Sequence, residues 1–127
     1  MGRVILDSSV VIASLNDRDY HHSAAVSAIS SGKHENFISA LTLAESLVGI
    51  KSNSVLLETS RTLQAELQVI DVDAEIADLA SKYRTQSGLK LPDAVICATA
   101  SIHKLQLWTF DTKQSRVVAG SRLLEMK

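Results

Sequence analysis

The feature that most constrains the fold is a pair of short strand-like runs, the first of them apolar, each of which ends abruptly at an aspartate. Arg3–Leu6 (R-V-I-L) contains β-branched residues and stops at Asp7, and Leu105–Phe110 stops at Asp111. Short apolar runs without polar alternation are typical of strands that are buried on both faces of a sheet. The two runs therefore predict buried strands whose ends carry carboxylates.

The rest of the chain alternates strand-like and helix-like segments. Further strands are predicted at Phe37–Ala40, Gln68–Val72 and Arg122–Met126. Helices are predicted at Ser9–Leu15, at His22–Ser31, at Thr42–Ile50, at Ser54–Leu67, from Asp73 to Gly88, and from Pro92 to about His103. This order favours an α/β fold with a mostly parallel central sheet and helices on both faces. In such folds, ligands bind beyond the carboxyl ends of the strands.

Size and composition indicate one packed domain over residues 1–127. The chain is 46% hydrophobic and 21% charged, which is the balance of a globular protein rather than a disordered segment. Cys97 is the only cysteine, so no internal disulfide can form and a reducing compartment is favoured. No apolar run approaches the ~18 residues that cross a bilayer, and Met1–Leu6 lacks the pattern of a signal peptide. We therefore expect a cytoplasmic protein without a membrane partner.

Four carboxylates lie at the edges of predicted buried elements. Asp7 and Asp111 follow strands, Asp93 opens a helix after Pro92, and Glu45 lies within a helix beside an apolar stripe. Each has an ordinary structural explanation: an aspartate before a helix can cap it, an aspartate in a first turn gains from the helix dipole, and a helical glutamate can be solvated.

As a group, the four carboxylates favour a metal site. Clustered carboxylates repel one another unless cations neutralise them. Their hard oxygen atoms suit Mg²⁺ or Mn²⁺, which are typically bound by one or two carboxylates, waters and substrate phosphate oxygens. The net charge of −1 lacks the basic balance typical of nucleic-acid binding, but bound cations can supply the positive charge that faces a phosphate.

Four sequence motifs together extend over nearly the whole chain: V-I-L-D-S-S-V-V-I-A (Val4–Ala13), I-S-A-L-T-L-A-E-S-L-V-G (Ile38–Gly49), L-K-L-P-D-A-V-I-C-A-T-A (Leu89–Ala100) and L-W-T-F-D-T (Leu107–Thr112). With these motifs the chain resembles the PIN-domain ribonucleases, specifically the VapC-type toxins of toxin–antitoxin pairs. Each motif alone is weak, but the four in order are a specific signal.

The resemblance implies a PIN-like three-layer α/β/α domain with the activity of an endoribonuclease dependent on Mg²⁺ or Mn²⁺. It implies that Asp7, Glu45, Asp93 and Asp111 are the catalytic and metal-binding residues, with Asp7 and Asp93 as direct ligands. It also implies hydrolysis of RNA to a 5′-phosphate and a 3′-hydroxyl, a homodimer, and a cognate antitoxin protein as partner.

The sequence departs from the commonest family pattern at two positions. Many relatives carry Asn two residues after the first Asp, where this chain has Ser9, whose hydroxyl can still orient a water or a carboxylate. After the last Asp, many relatives continue with a second acidic residue and an aromatic, whereas this chain reads Thr112, Lys113, Gln114. The second departure places the role of Asp111 in doubt.

Other residues have two interpretations each. Cys97 shares a helix face with Asp93, but burial as a small apolar side chain is the preferred interpretation. Trp108 and Phe110 could stack on a base or pack in the core, and core packing is preferred. Five cations could line an RNA path, although ordinary solvated surface is preferred for each: Lys51, Lys90, Lys104, Lys113 and Arg116. The apolar stripes of the second to fourth helices have two interpretations. They form a dimer face or an antitoxin groove, or they are part of the core.

Two other functions compete with the ribonuclease. The first is a phosphatase or phospho-acceptor domain that uses Asp7 as its nucleophile, since a strand-end aspartate suits that role. However, D-S-S lacks a second Asp two residues on. The second is a non-catalytic module that keeps the PIN fold only to bind a partner, and the presence of all four acidic residues argues against it.

Overall fold

A computed structural model describes residues 2–124 of the chain. Within this range, the strands are β1 (Gly2–Leu6), β2 (His34–Ser39), β3 (Gln68–Ile70), β4 (Gln106–Thr109) and β5 (Arg122–Leu123). The helices are α1 (Ser8–Leu15), α2 (His22–Ser30), α3 (Ala40–Leu47), α4 (Asn53–Glu66), α5 (Ala74–Ser87), α6 (Leu91–His103) and α7 (Thr112–Ser115).

The five strands form one sheet in the order β3-β2-β1-β4-β5, and every pairing is parallel. Hence the predicted α/β class and parallel sheet are confirmed. Central β1 pairs with β2 on one side and with β4 on the other, for example Ile5 with Phe37 and Leu6 with Trp108. The carboxyl ends of β1 and β4, where Asp7 and Asp111 follow, therefore lie side by side.

The sheet separates two apolar cores, which gives the three layers. Alternate residues of β1 point to opposite faces: Ile5 packs with α5 and α6, while Val4 and Leu6 pack with α1, α2 and the end of α4. Helix α6 lies against the sheet with seven consecutive buried residues, Ala94–Ala100. Asp93 precedes this buried segment directly, so its position is tied to the core.

The predicted second strand and third helix have wrong boundaries. The strand begins three residues earlier than Phe37 and ends at Ser39, and α3 then begins at Ala40 rather than Thr42. The physical reason is the helix cap, because the Ser39 hydroxyl accepts a hydrogen bond from the backbone N–H of Leu41 and starts the helix early. The buried residues of α3 are Thr42 and Ser46, while Leu43 and Leu47 of the predicted apolar stripe are partly buried against the core and Ala44 and Val48 are exposed.

The other predicted elements agree with the structure to within two residues at each described end. Asp73 caps α5 through the backbone N–H of Ile76, and Gly88 ends that helix with a left-handed backbone (φ +66°). The short helix α7 after Asp111 was not predicted. The predicted last strand begins at Arg122 as expected but ends at Leu123, before Leu124, and its predicted residues Glu125 and Met126 lie outside the described range. Among the described helices, none is long and apolar enough to cross a membrane.

Candidate metal centre

Asp7 is held at the end of β1 by hydrogen bonds rather than serving as a cap. Its side chain is 2% exposed, and it makes no capping bond to α1 although it occupies the capping position. One oxygen, Oδ2, accepts hydrogen bonds from the Ser9 hydroxyl at 2.6 Å and from the Thr109 hydroxyl at 2.9 Å. The capping explanation for Asp7 is therefore wrong, and Oδ1 is the oxygen that remains for a ligand.

Glu45 is oriented by a pair of hydroxyls. The Ser8 hydroxyl donates to Glu45 Oε1 at 2.7 Å and lies 3.0 Å from the Thr42 hydroxyl. Thr42 is fully buried and lies three residues before Glu45, on the same face of α3. Because these hydroxyls join the start of α1 to α3, the carboxylate of Glu45 is directed towards the edge where Asp7 lies. The interpretation of Glu45 as an ordinary solvated residue is wrong.

Asp111 caps a helix, which is the structural explanation that the sequence offered for it. Its Oδ1 accepts a hydrogen bond from the backbone N–H of Lys113 at 2.8 Å, which caps α7. Its own backbone N–H donates to the Thr109 hydroxyl at 2.9 Å, so the same threonine ties Asp7 and Asp111 together. With Oδ1 engaged as a cap, Asp111 has Oδ2 as its other oxygen, which lies 3.4 Å from Gln114 Nε2.

The pKa of Asp93 is raised by burial and by the negative charges of the other three carboxylates. Burial is the largest cause that raises its pKa from 3.8 to about 6, followed by the negative charges of Asp7, Asp111 and Glu45. Lys90 acts in the opposite direction and lowers the pKa. The structure thus brings all four sequence-predicted acids into one electrostatic neighbourhood at the carboxyl edge of the sheet.

Whether the site suits a metal ion depends on the number and type of ligand atoms that its side chains offer. Within residues 2–124, no three His, Cys, Asp or Glu side chains converge closely enough to hold an ion by themselves. The four carboxylates therefore do not chelate an ion at one point. Mg²⁺ keeps several waters and binds through one or two carboxylates, so it does not require three protein carboxylates to converge. The residues fit Mg²⁺ or Mn²⁺ on these chemical grounds.

The sequence analysis missed Ser8, Thr42, Thr109 and Gln114 as members of this site. Each is three residues or fewer from an acidic residue, which is the one signal that could have revealed them. Gln114 is 2% exposed, and its Nε2 lies 3.4 Å from both Asp7 Oδ2 and Asp111 Oδ2. In the sequence, Thr112, Lys113 and Gln114 stand out only as a departure from the family pattern.

The remaining candidates follow their ordinary interpretations. Cys97 is fully buried, and burial, followed by the charges of Asp7, Asp93 and Asp111, raises the pKa of its thiol to about 12. Trp108 is buried, with its indole N–H donating to Gln106, and Phe110 stacks on His21.

The five candidate cations are all exposed: Lys51, Lys90, Lys104, Lys113 and Arg116. They lie at different distances from the acidic edge. Lys90 acts on Asp93, whereas Lys104 lies at the other end of α6, about 16 Å away by helical rise.

Comparison with known proteins matches residues 4–120 to the PIN domain family. The chain belongs to this family. Within it, the chain resembles the VapC-type toxins, which confirms the resemblance inferred from the four motifs, and its fold is that of a PIN nuclease.

Several solved structures share the fold. A toxin–antitoxin complex from Klebsiella pneumoniae is 29% identical with a TM-score of 0.78, and the match covers 94% of this chain and 95% of that one. The sarcin–ricin loop cleaving toxin VapC20 from Mycobacterium tuberculosis is 17% identical, with a TM-score of 0.77 and coverage of 94% and 97%. DNA-bound VapBC from Salmonella typhimurium is 22% identical, with a TM-score of 0.71 and coverage of 96% of each chain. No match was found among curated proteins.

Proposed function

We propose that this chain is a single-domain, metal-dependent endoribonuclease that acts as the toxin of a toxin–antitoxin pair. The observation that carries the proposal is the placement of Asp7, Glu45, Asp93 and Asp111 at one sheet edge, where burial and then the charges of the other three raise the pKa of Asp93 to about 6. A protein that only needed stability would gain nothing from this repulsion. A divalent cation relieves the repulsion, so the cost is offset when the site is loaded.

The residues have distinct tasks in this proposal. Asp7 Oδ1 and Asp93 bind the cation, because Asp7 Oδ2 is already engaged by Ser9 and Thr109. When bound, Mg²⁺ or Mn²⁺ supplies Lewis acidity towards the phosphate and lowers the pKa of a water that attacks it. Glu45, oriented by Ser8, would accept a proton from an attacking water. Asp111 acts on the site through its contacts at α7 rather than as a main ligand.

The phospho-acceptor alternative gains no support from these contacts. A nucleophilic carboxylate has to present an oxygen to an approaching phosphorus atom. Asp7 is 2% exposed and one of its oxygens accepts two short hydrogen bonds, which suits a fixed ligand better than an attacking group.

We also propose a homodimer and a cognate antitoxin as partner. Support comes from the K. pneumoniae relative, which is a toxin–antitoxin complex. In this chain, α1, α2 and α4 border a groove of about 510 Å³. Leu15, Val26 and Val55 line it and are 46%, 40% and 49% exposed, so the groove offers apolar surface to a partner.

The function is tested by sequencing RNA ends after brief expression of the wild-type protein, of Asp7→Ala and of Asp17→Ala. Asp17 is exposed in the loop after α1 and serves as the matched control. We expect new 5′-phosphate ends with the wild type and with Asp17→Ala, and none with Asp7→Ala. Purified wild type should produce the same ends with Mg²⁺ or Mn²⁺ and lose them with EDTA. Ends that also appear with folded Asp7→Ala would refute the proposal.

Removal of the Ser8 hydroxyl should weaken cleavage without removing a ligand. In Ser8→Ala, Glu45 loses the donor at 2.7 Å that orients it, and loss of such a supporting contact typically costs about 10–100-fold in activity. Initial cleavage rates on one RNA measure the effect. Ser14→Ala is the control, since Ser14 lies on the same helix and donates only to the carbonyl of Val11. Equal rates for Ser8→Ala and Ser14→Ala would contradict the role given to Ser8.

A further inference from the structure

Gln114 is a buried amide in a helix that otherwise faces solvent. It lies on α7 three residues after Asp111, and it is the one buried residue of that helix. Burying a glutamine is costly unless its polar atoms find partners. The position therefore calls for an explanation beyond packing.

The Gln114 amide is only partly satisfied. Its Nε2 donates to Asp7 Oδ2 and to Asp111 Oδ2, but both distances are 3.4 Å, well beyond the usual 2.9–3.0 Å. Its Oε1 is buried and has no hydrogen-bond partner among the described residues. An unpaired buried acceptor of this kind destabilises the folded state.

The two carboxylates that Gln114 contacts come from the ends of different strands. Asp7 follows β1 and Asp111 follows β4, so the amide spans the two central strands of the acidic edge. The backbone carbonyl of Gln114 also accepts a long contact from the Cys97 thiol at 3.9 Å, which ties α7 to α6, the helix that carries Asp93. Gln114 thus touches three of the elements that build the site.

From this geometry we infer that Gln114 is an additional residue of the metal site and that its amide oxygen supplies a neutral donor when a cation is present. The inference rests on the proposed metal-dependent function. Rotation about the last side-chain bond exchanges the oxygen and the nitrogen of a glutamine amide. Without a cation, the N–H groups face the two carboxylates. With a cation bound at Asp7, the oxygen is the better atom for Gln114 to present to it, and amide oxygens are suitable ligands for hard cations.

The inference is tested by the Mg²⁺ affinity of the purified full chain, measured by calorimetry without RNA. Gln114→Met keeps the length but removes both polar atoms, and Gln114→Glu keeps an oxygen and adds charge. We expect Gln114→Met to bind Mg²⁺ about 10–100-fold more weakly and Gln114→Glu to bind at least as tightly as the wild type. Gln86→Met, at an exposed position of α5, should match the wild type. Equal affinity of Gln114→Met and the wild type would overturn the inference.

A second measurement covers the case in which Gln114→Met does not fold. The side-chain NH₂ signals of Gln114 in the wild-type protein, identified by their loss in Gln114→Glu, should shift on addition of Mg²⁺, while those of Gln86 stay fixed. Unchanged Gln114 signals at a Mg²⁺ concentration that saturates the protein would refute the inference. If the wild type binds no Mg²⁺ at all, the proposed metal-dependent function fails as well, so the two failures are distinguishable.

Discussion

Replacement of Asp93 by asparagine is expected to reduce RNA cleavage by roughly a thousandfold or more while the fold persists. A bound cation contributes several kcal/mol to stabilising the charge that develops on a phosphate, and each 1.36 kcal/mol corresponds to about tenfold in rate. Asparagine keeps the shape of Asp93 but removes the charge that, in our account, holds the cation. Single-turnover cleavage of one end-labelled RNA at saturating Mg²⁺ measures the loss.

A matched control separates this effect from general damage to a helix. Asp78→Asn makes the same chemical change on α5, at an exposed position away from the acidic edge, and should cleave at the wild-type rate. Full activity in a folded Asp93→Asn protein would contradict the assignment of Asp93 as a main ligand of the cation.

The same substitution is expected to stabilise the metal-free protein at neutral pH. Burial and three negative neighbours raise the pKa of Asp93 from 3.8 to about 6, so the folded state binds this proton more tightly than the unfolded state does. The contribution of Asp93 to stability therefore falls as the pH rises from about 4 to about 6 and stays low above that window. Allowing for its partial exposure, we expect Asp93→Asn to gain about 1–2 kcal/mol at neutral pH.

Thermal unfolding in EDTA checks this expectation. The gain corresponds to a rise in Tm of about 4–8 °C at pH 7.5, and it should disappear by about pH 3, below the unfolded pKa, where Asp93 is largely protonated in both states. Glu75→Gln is the control, since Glu75 is an exposed acid in the first turn of α5 and should only lose its helix-dipole contribution. Mg²⁺ should stabilise the wild type and so reduce its difference from Asp93→Asn. A lower Tm for Asp93→Asn at pH 7.5 would contradict the repulsion that we describe.

The fold could be predicted from the sequence because its strands carry a strong local signal. Val4, Ile5 and Leu6 are buried on both faces of the sheet and form an uninterrupted apolar run, which only a central strand explains well. Once the strands were known to be parallel, Asp7 and Asp111 had to meet at one edge. The boundary of α3 was missed because the Ser39 cap is a local hydrogen bond that competes with the apolar pattern.

The supporting residues of the site could not be predicted in the same way. Ser8 and Thr42 acquire their role from a hydroxyl contact between residues 34 positions apart, which depends on how α1 and α3 pack. Gln114 lies on a helix of four residues, too short to show any periodicity. The sequence therefore located the carboxylates, while their orientation and their neutral partners depend on tertiary structure.

The central claim is that the four carboxylates form one site for a divalent cation, and an anomalous difference map from Mn²⁺-soaked crystals tests it most directly. We predict a Mn²⁺ peak at the carboxyl edge of the sheet, beside Asp7 Oδ1 and Asp93, in the wild type and no such peak in Asp93→Asn. A map that shows no Mn²⁺ at this edge, at a concentration that supports RNA cleavage in solution, would contradict the account.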